Sequence, residues 1–120
     1  MLRNLLFVGI GGAAGSMMRY AVTLLTARLH GTANVATLLV NVAGSMLMGW
    51  LMAHGVQGSR WMLFATVGLC GGFTTFSTFS MQTVTLLDRG RISMAFAYAA
   101  ATLILCLLCC WAGYRLGTKG

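Results

Sequence analysis

Long apolar stretches separated by short polar linkers make up nearly the whole chain. The four stretches run from about Leu2 to Leu25, Ala33 to Ala53, Trp61 to Leu87 and Ile92 to Leu116. Each reaches roughly the 20 residues that a helix needs to cross the hydrocarbon core of a bilayer. No soluble domain fits into the linkers between them. The pattern predicts an all-α integral membrane protein, with a single four-helix domain over residues 1–120.

Composition supports a lipid environment for these stretches. Hydrophobic residues make up 58% of the chain and charged residues only 8%, whereas soluble domains carry about 25% charged residues. The net charge of +7 comes from eight basic residues and one acid, Asp88. These basic residues are scattered singly, without the aromatic residues of a nucleic-acid surface, so we interpret them as anchors at lipid headgroups.

The middle of the third stretch departs from this apolar pattern. From Gly71 to Ser80 it reads Gly-Gly-Phe-Thr-Thr-Phe-Ser-Thr-Phe-Ser. Two adjacent glycines weaken a helix, and hydroxyl side chains follow them closely. Broken backbone is tolerated inside a membrane only where it is buried in protein or lines a watery cavity. We therefore predict that the third helix is broken near the middle of the membrane, where its freed carbonyls can coordinate a cation.

Three side chains within the spans are candidates for an ion path. Phe76 and Phe79 lie three residues apart and share a helix face; their positively polarised ring edges suit an anion, although a packing stripe is the alternative. Asn41, in the middle of the second span, has amide hydrogens that can bind an anion. Its alternative role is a hydrogen bond between helices, worth about 0.6 kcal/mol on average in a membrane.

Charged residues inside the spans narrow the choice of function. Arg19 lies near the far end of the first span, where its side chain either extends to the headgroups or turns inward and attracts anions. The spans contain no Asp or Glu, which argues against a small proton-coupled exporter because such a protein needs a titrating carboxylate. A purely structural subunit has little reason to bury so many hydroxyls. Without a nucleophile and base together, we predict no enzyme.

The distribution of basic residues also bears on assembly. An even number of spans places both termini on one face. The loops and ends on the two faces differ by only one basic residue, too small a bias to fix the direction of insertion. We therefore expect insertion in both directions and an antiparallel homodimer. The first face carries Arg3, Arg60, Arg115 and Lys119, and the second carries Arg28, Arg89 and Arg91.

The four cysteines fall inside apolar stretches. They do not form a pair of CxxC motifs, and no histidine accompanies them. We interpret them as small packing residues rather than a zinc site. They are Cys70, Cys106, Cys109 and Cys110.

Three motifs together resemble the Fluc (CrcB) family of fluoride channels. They are Gly11-Gly12-Ala13-Ala14-Gly15 followed by Arg19, the segment from Thr37 through Asn41 to Gly44, and the run from Gly71 to Ser80. The match extends over essentially the whole chain in length, number of spans and order of motifs. The Thr-Thr-Phe-Ser-Thr-Phe run is the most specific part.

The resemblance implies a passive, fluoride-selective channel in the plasma (inner) membrane that exports cytoplasmic fluoride through two pores per antiparallel homodimer. It also implies a sodium ion, held at the dimer centre by backbone carbonyls. One departure is Gln82, where many members of the family have Glu. The implied pore residues are Asn41, Phe76, Phe79, Ser77, Thr78 and Thr37, with Arg19 at the vestibule or in a structural role, Gly71 and Thr74 as the carbonyl ligands of sodium, and Tyr98 and Thr102 as weaker candidates on the fourth span.

Overall fold

The computed structural model describes residues 1–55 and 58–119, and the regular elements in this part are all helices. All four spans are long and apolar enough to cross a membrane, which confirms the predicted architecture. The helices extend up to three residues beyond the predicted ends, so Asp88 is the last residue of a helix and not part of a loop. The helices are α1 (Leu2–Arg28), α2 (Ala33–His54), α3 (residues 60–73), α4 (Phe76–Asp88) and α5 (Ile92–Lys119).

The third span consists of two consecutive helices, α3 and α4. Helix α3 begins at Arg60 and contains a π-helical segment, Phe64–Cys70, which the sequence did not predict. The break falls at Thr74 and Thr75, whose backbones are extended, halfway between Arg60 and Asp88. A break near the middle of the membrane was predicted, and it is confirmed.

The glycines near the break have a different role from the expected one. Gly71 and Gly72 remain helical. A side chain at Gly72 would collide with the backbone carbonyl of Gly12 on α1. Gly72 is therefore needed for close approach of two helices, and the cause of the break must lie elsewhere.

Close backbone contact organises the helices into two pairs, α1 with α3 and α2 with α5. In the first pair, a Cβ at Gly15 would collide with the carbonyl of Leu69; in the second, a Cβ at Gly113 would collide with the carbonyl of Met46. Small residues drive helix association in lipid in this way. Glycines therefore lie where the spans approach one another most closely.

A small apolar cluster connects α4 to α5. It is formed by Phe79, Leu86, Ala95 and Tyr98, with Leu38 of α2 against it. Most of the other large apolar side chains are exposed, as expected for surfaces that face lipid or another protein. The longest dimension of the chain is 47 Å, enough to span a hydrocarbon core of about 30 Å.

Candidate functional site

Asn41 holds the helix break open through two hydrogen bonds to the backbone of Thr75. The Thr75 N–H donates to Asn41 Oδ1 at 2.8 Å, and Asn41 Nδ2 donates to the Thr75 carbonyl at 3.1 Å. In an uninterrupted helix, the Thr75 N–H would donate to the carbonyl of Gly71. Asn41, which is only 8% exposed, replaces that acceptor and leaves the Gly71 carbonyl without its helical donor.

Thr75 begins the second half of the span as the N-cap of α4. Its Oγ1 accepts a hydrogen bond from the Thr78 N–H at 3.1 Å and donates to Thr78 Oγ1 at 3.1 Å. Ser77 Oγ lies 3.3 Å from the same oxygen. Because a continuous helix would direct the Thr78 N–H to the Thr74 carbonyl, the cap removes the helical donor of Thr74. Sequence reasoning did not single out Thr75, although threonine at the start of a helix is a recognised N-cap signal.

Arg19 points inward, toward the break. Its Nε donates a hydrogen bond to the Gly72 carbonyl at 3.1 Å, and the side chain is half-buried. Of the two orientations that the sequence left open, the structure therefore has the inward one. A guanidinium is stabilised at this position because the C-terminal end of α3 carries partial negative charge.

The contacts of Asn41 and of the Thr75 cap thus divert the helical donors of the Gly71 and Thr74 carbonyls. Backbone carbonyls of broken membrane helices are suitable ligands for Na⁺. The described residues contain no group of three or more His, Cys, Asp or Glu side chains able to hold a metal. Carbonyl oxygens are hard ligands, so the break fits a hard cation held by backbone oxygen.

Three aromatic rings form a row beside the break. The ring centroids of Phe76 and Phe79 are 5.5 Å apart, and those of Phe79 and Tyr98 are 5.3 Å apart. Phe79 is buried, but Phe76 is 72% exposed on the surface of this chain. Phe76 and Phe79 therefore share a helix face, as their spacing predicted, but only Phe79 is enclosed by this chain.

A polar row continues from Tyr98. Its hydroxyl donates to Gln82 Oε1 at 2.7 Å, and the side chain of Thr37 lies beside it. Thr37 itself donates to the carbonyl of Ala33 at 3.1 Å. The row joins α2, α4 and α5 and gives Gln82 a hydrogen-bonded place that its position in the sequence did not reveal.

A cleft of about 320 Å³ lies against the break. The predicted residues that line it are Asn41, Gly71, Thr74, Phe76 and Phe79.

The other predicted residues, Thr37, Ser77, Thr78 and Arg19, are not part of its wall. Of the two weaker candidates on α5, Thr102 lines the cleft and Tyr98 does not. Its buried Oγ1 has no hydrogen-bond partner among the described residues. The site therefore extends along α5, a span without a clear motif.

Comparison with known proteins gives a consistent result. The model of the family described as "CrcB-like protein, Camphor Resistance (CrcB)" matches residues 6–114. A protein of Shewanella amazonensis named fluoride-specific ion channel FluC is 41% identical over 119 residues, which is 96% of each chain. A protein of the same name from Cereibacter sphaeroides is 44% identical over 117 residues, covering 94% of this chain and 93% of the relative.

A third relative extends the agreement. It is fluoride-specific ion channel FluC 2 of Nitrobacter hamburgensis, 40% identical over 118 residues, which cover 94% of this chain and 95% of the relative. The family model and these relatives span nearly the full length of the chain, and the chain therefore belongs to the CrcB family.

Proposed function

We propose that this protein is a passive fluoride channel of the plasma membrane and not an enzyme. The names of its relatives support this, as do its four membrane-spanning helices. Hydrogen fluoride is a weak acid that crosses membranes in its neutral form and ionises in a less acidic cytoplasm. A channel for the anion lets the trapped fluoride leave.

The observation that carries this proposal is the chemistry of the cleft at the helix break. Its wall combines the amide of Asn41 with the rings of Phe76 and Phe79, and Asp88, the one acid of the chain, lies at the far end of α4. Amide hydrogens and ring edges attract an anion, whereas a membrane carboxylate would repel it. In this proposal the hydroxyls of Ser77 and Thr78 and the polar row from Thr37 supply further donors along the path.

The same break favours a second copy of the chain as the partner. Gly71 is exposed, and Phe76 projects beside it. A carbonyl without a donor costs several kcal/mol in hydrocarbon, so this surface is not suited to lipid. A second copy of the chain would cover it. Together with the small charge bias between the two faces, this supports an antiparallel homodimer with one pore along each side of the interface.

A sodium ion at the centre of that dimer fits the two freed carbonyls. We propose that the carbonyls of Gly71 and Thr74 in both copies supply its ligands. The Gly72 carbonyl, which lies between them in sequence, accepts a hydrogen bond from Arg19 instead. The ion would supply positive charge that compensates the carbonyl oxygens of the break. Replacement of sodium by N-methylglucamine is expected to lower the dimer fraction measured by chemical cross-linking; an unchanged fraction would contradict this role.

Anion efflux from liposomes tests the proposed function directly. Liposomes containing the purified protein are loaded with fluoride or with chloride, and release is followed with ion-selective electrodes. We expect rapid fluoride release and no chloride release above that of protein-free liposomes. If neither anion moves, the channel proposal fails and a structural role becomes the leading hypothesis. Equal release of both anions would refute selectivity.

Mapping the accessibility of a C-terminal tag tests the dual topology separately. Tags reachable from both sides of the membrane are expected if the chain inserts in both directions. A tag reachable from one side only would exclude the antiparallel homodimer.

A further inference from the structure

One face of α5 forms a continuous part of the cleft wall. Thr102, Cys106 and Cys110 all line the cleft, and successive residues in this series are four apart, so they lie above one another on the helix. Cys106 and Cys110 are free and half-buried, which leaves both thiols within reach of a ligand. Cys109 is also free and half-buried, but it is not part of the wall.

Thr102 has a buried hydroxyl on the same wall. Its side chain is only 5% exposed, and Oγ1 has no partner in the described part of the chain. A buried hydroxyl without a partner costs about 1–3 kcal/mol. Thr102 therefore marks a polar position one helical turn from Cys106 on this wall.

We propose that Cys106 and Cys110 form a two-coordinate site for a soft, thiophilic cation of the Hg²⁺ or Ag⁺ type. Thiolates select soft metals, and residues four apart on a helix have neighbouring side chains. Cys70 of α3 also lines the cleft, but the described residues form no cluster of three or more metal-binding His, Cys, Asp or Glu side chains, so a tetrahedral zinc site does not fit. Two thiolates in nearly linear arrangement satisfy Hg²⁺ and Ag⁺.

With mercuric chloride as the source of mercury, the binding reaction is balanced. Each thiol loses its proton as its sulfur bonds to mercury. One HgCl₂ and two thiols thus give one neutral S–Hg–S bridge, two protons and two chloride ions, with no change in oxidation state. Neutral HgCl₂ crosses lipid and reaches the cleft from either side.

Binding at this position is expected to obstruct the cleft. Cys106 lies one helical turn from Thr102 and shares the cleft with Asn41 and Phe76. A bridging metal therefore occupies space beside the path that we propose for fluoride. This consequence rests on the proposed function, whereas the metal site itself does not.

Protection from alkylation tests the site without reference to transport. The folded protein is treated with one equivalent of HgCl₂ and washed with a monothiol such as 2-mercaptoethanol, which removes mercury held by a single protein sulfur. It is then treated with N-ethylmaleimide, and the modified cysteines are located by fragment-ion mass spectrometry. We expect Cys106 and Cys110 to be protected and Cys109 to be alkylated. Cys106→Ser and Cys110→Ser should each abolish the protection of the remaining partner, whereas Cys109→Ser should leave both protected. Protection that persists in Cys106→Ser, or that extends equally to Cys109, would overturn the site.

Fluoride efflux under the same conditions tests the obstruction. We expect HgCl₂ to slow efflux at least about tenfold by narrowing the path in the wild type and in Cys109→Ser, with recovery on addition of dithiothreitol. The ratio of efflux with and without mercury should approach one in Cys106→Ser and Cys110→Ser. Thiols protected from alkylation with no slowing of fluoride efflux would refute the proposal that the bound metal obstructs the cleft. If the untreated wild type releases no fluoride, the proposed channel function fails, but the alkylation result still decides the metal site.

Discussion

Replacing Asn41 by alanine should remove the contacts that hold the third span open. The Asn41 amide both accepts from the Thr75 N–H and donates to the Thr75 carbonyl. Alanine can do neither. The Thr75 N–H is then available to the Gly71 carbonyl, the acceptor that a continuous helix would use. We therefore expect Asn41→Ala to shift the span from the broken form toward a continuous helix.

The size of this shift follows from the two hydrogen bonds. Interhelical bonds in membranes average about 0.6 kcal/mol and those of folded proteins generally about 0.5–1.5 kcal/mol. Loss of both therefore costs about 1–3 kcal/mol, which corresponds to a change of roughly 5- to 150-fold in the equilibrium between the two forms. Fluoride flux should fall by a comparable factor if only the broken form conducts.

Fluoride efflux from liposomes and thermal denaturation in detergent together test this prediction. Leu39→Ala is the matched control, because Leu39 lies two residues away on α2 and is 51% exposed. We expect Asn41→Ala to lower both flux and unfolding temperature, and Leu39→Ala to change neither substantially. Wild-type flux and stability in Asn41→Ala would refute the reasoning that this side chain maintains the break.

Four further predictions concern other parts of the site and the packing around it. Phe76→Ile and Phe79→Ile should each reduce fluoride efflux sharply while cross-linking still detects the dimer. Wild-type efflux in both variants would show that these rings do not line the fluoride path. Asn41→Asp should block efflux because it replaces an amide donor with a carboxylate, and normal efflux would place residue 41 outside the path. Arg19→Leu should destabilise the protein by about 1–3 kcal/mol in equilibrium unfolding because the Gly72 carbonyl loses its donor, and an unchanged stability would make that bond energetically irrelevant. Gly113→Val should cost about 1–3 kcal/mol by forcing α2 and α5 apart, whereas the control Gly9→Ala, with open space around it, should unfold like the wild type.

The cysteines show how position within the fold changes the interpretation of a residue. From sequence, all four are equivalent packing residues in apolar stretches. The structure separates them, because Cys70 of α3 and Cys106 and Cys110 of α5 line the cleft, whereas Cys109 is not part of its wall. Neighbouring sequence positions point in different directions around a helix, so only the packing of α5 against the break distinguishes them.

Local properties of the sequence were sufficient to predict the spans and the region of the break. Runs of apolar residues long enough to cross a bilayer predicted the four helices. The glycines and hydroxyls between Gly71 and Ser80 indicated the region where the third helix is interrupted. Both signals depend on residues close together in the chain, because hydrophobic burial and helix propensity are summed over short windows.

The tertiary structure decided where the break falls and which groups it leaves open. Asn41 contacts Thr75 across 34 positions, and Arg19 contacts Gly72 across 53. Neither pairing has a local signal, because each depends on how α1 and α2 pack against the third span. The sequence by itself determined that a polar interruption exists in the membrane. Contacts between helices determined that it opens at Thr74 and Thr75, frees the Gly71 and Thr74 carbonyls and faces a cleft.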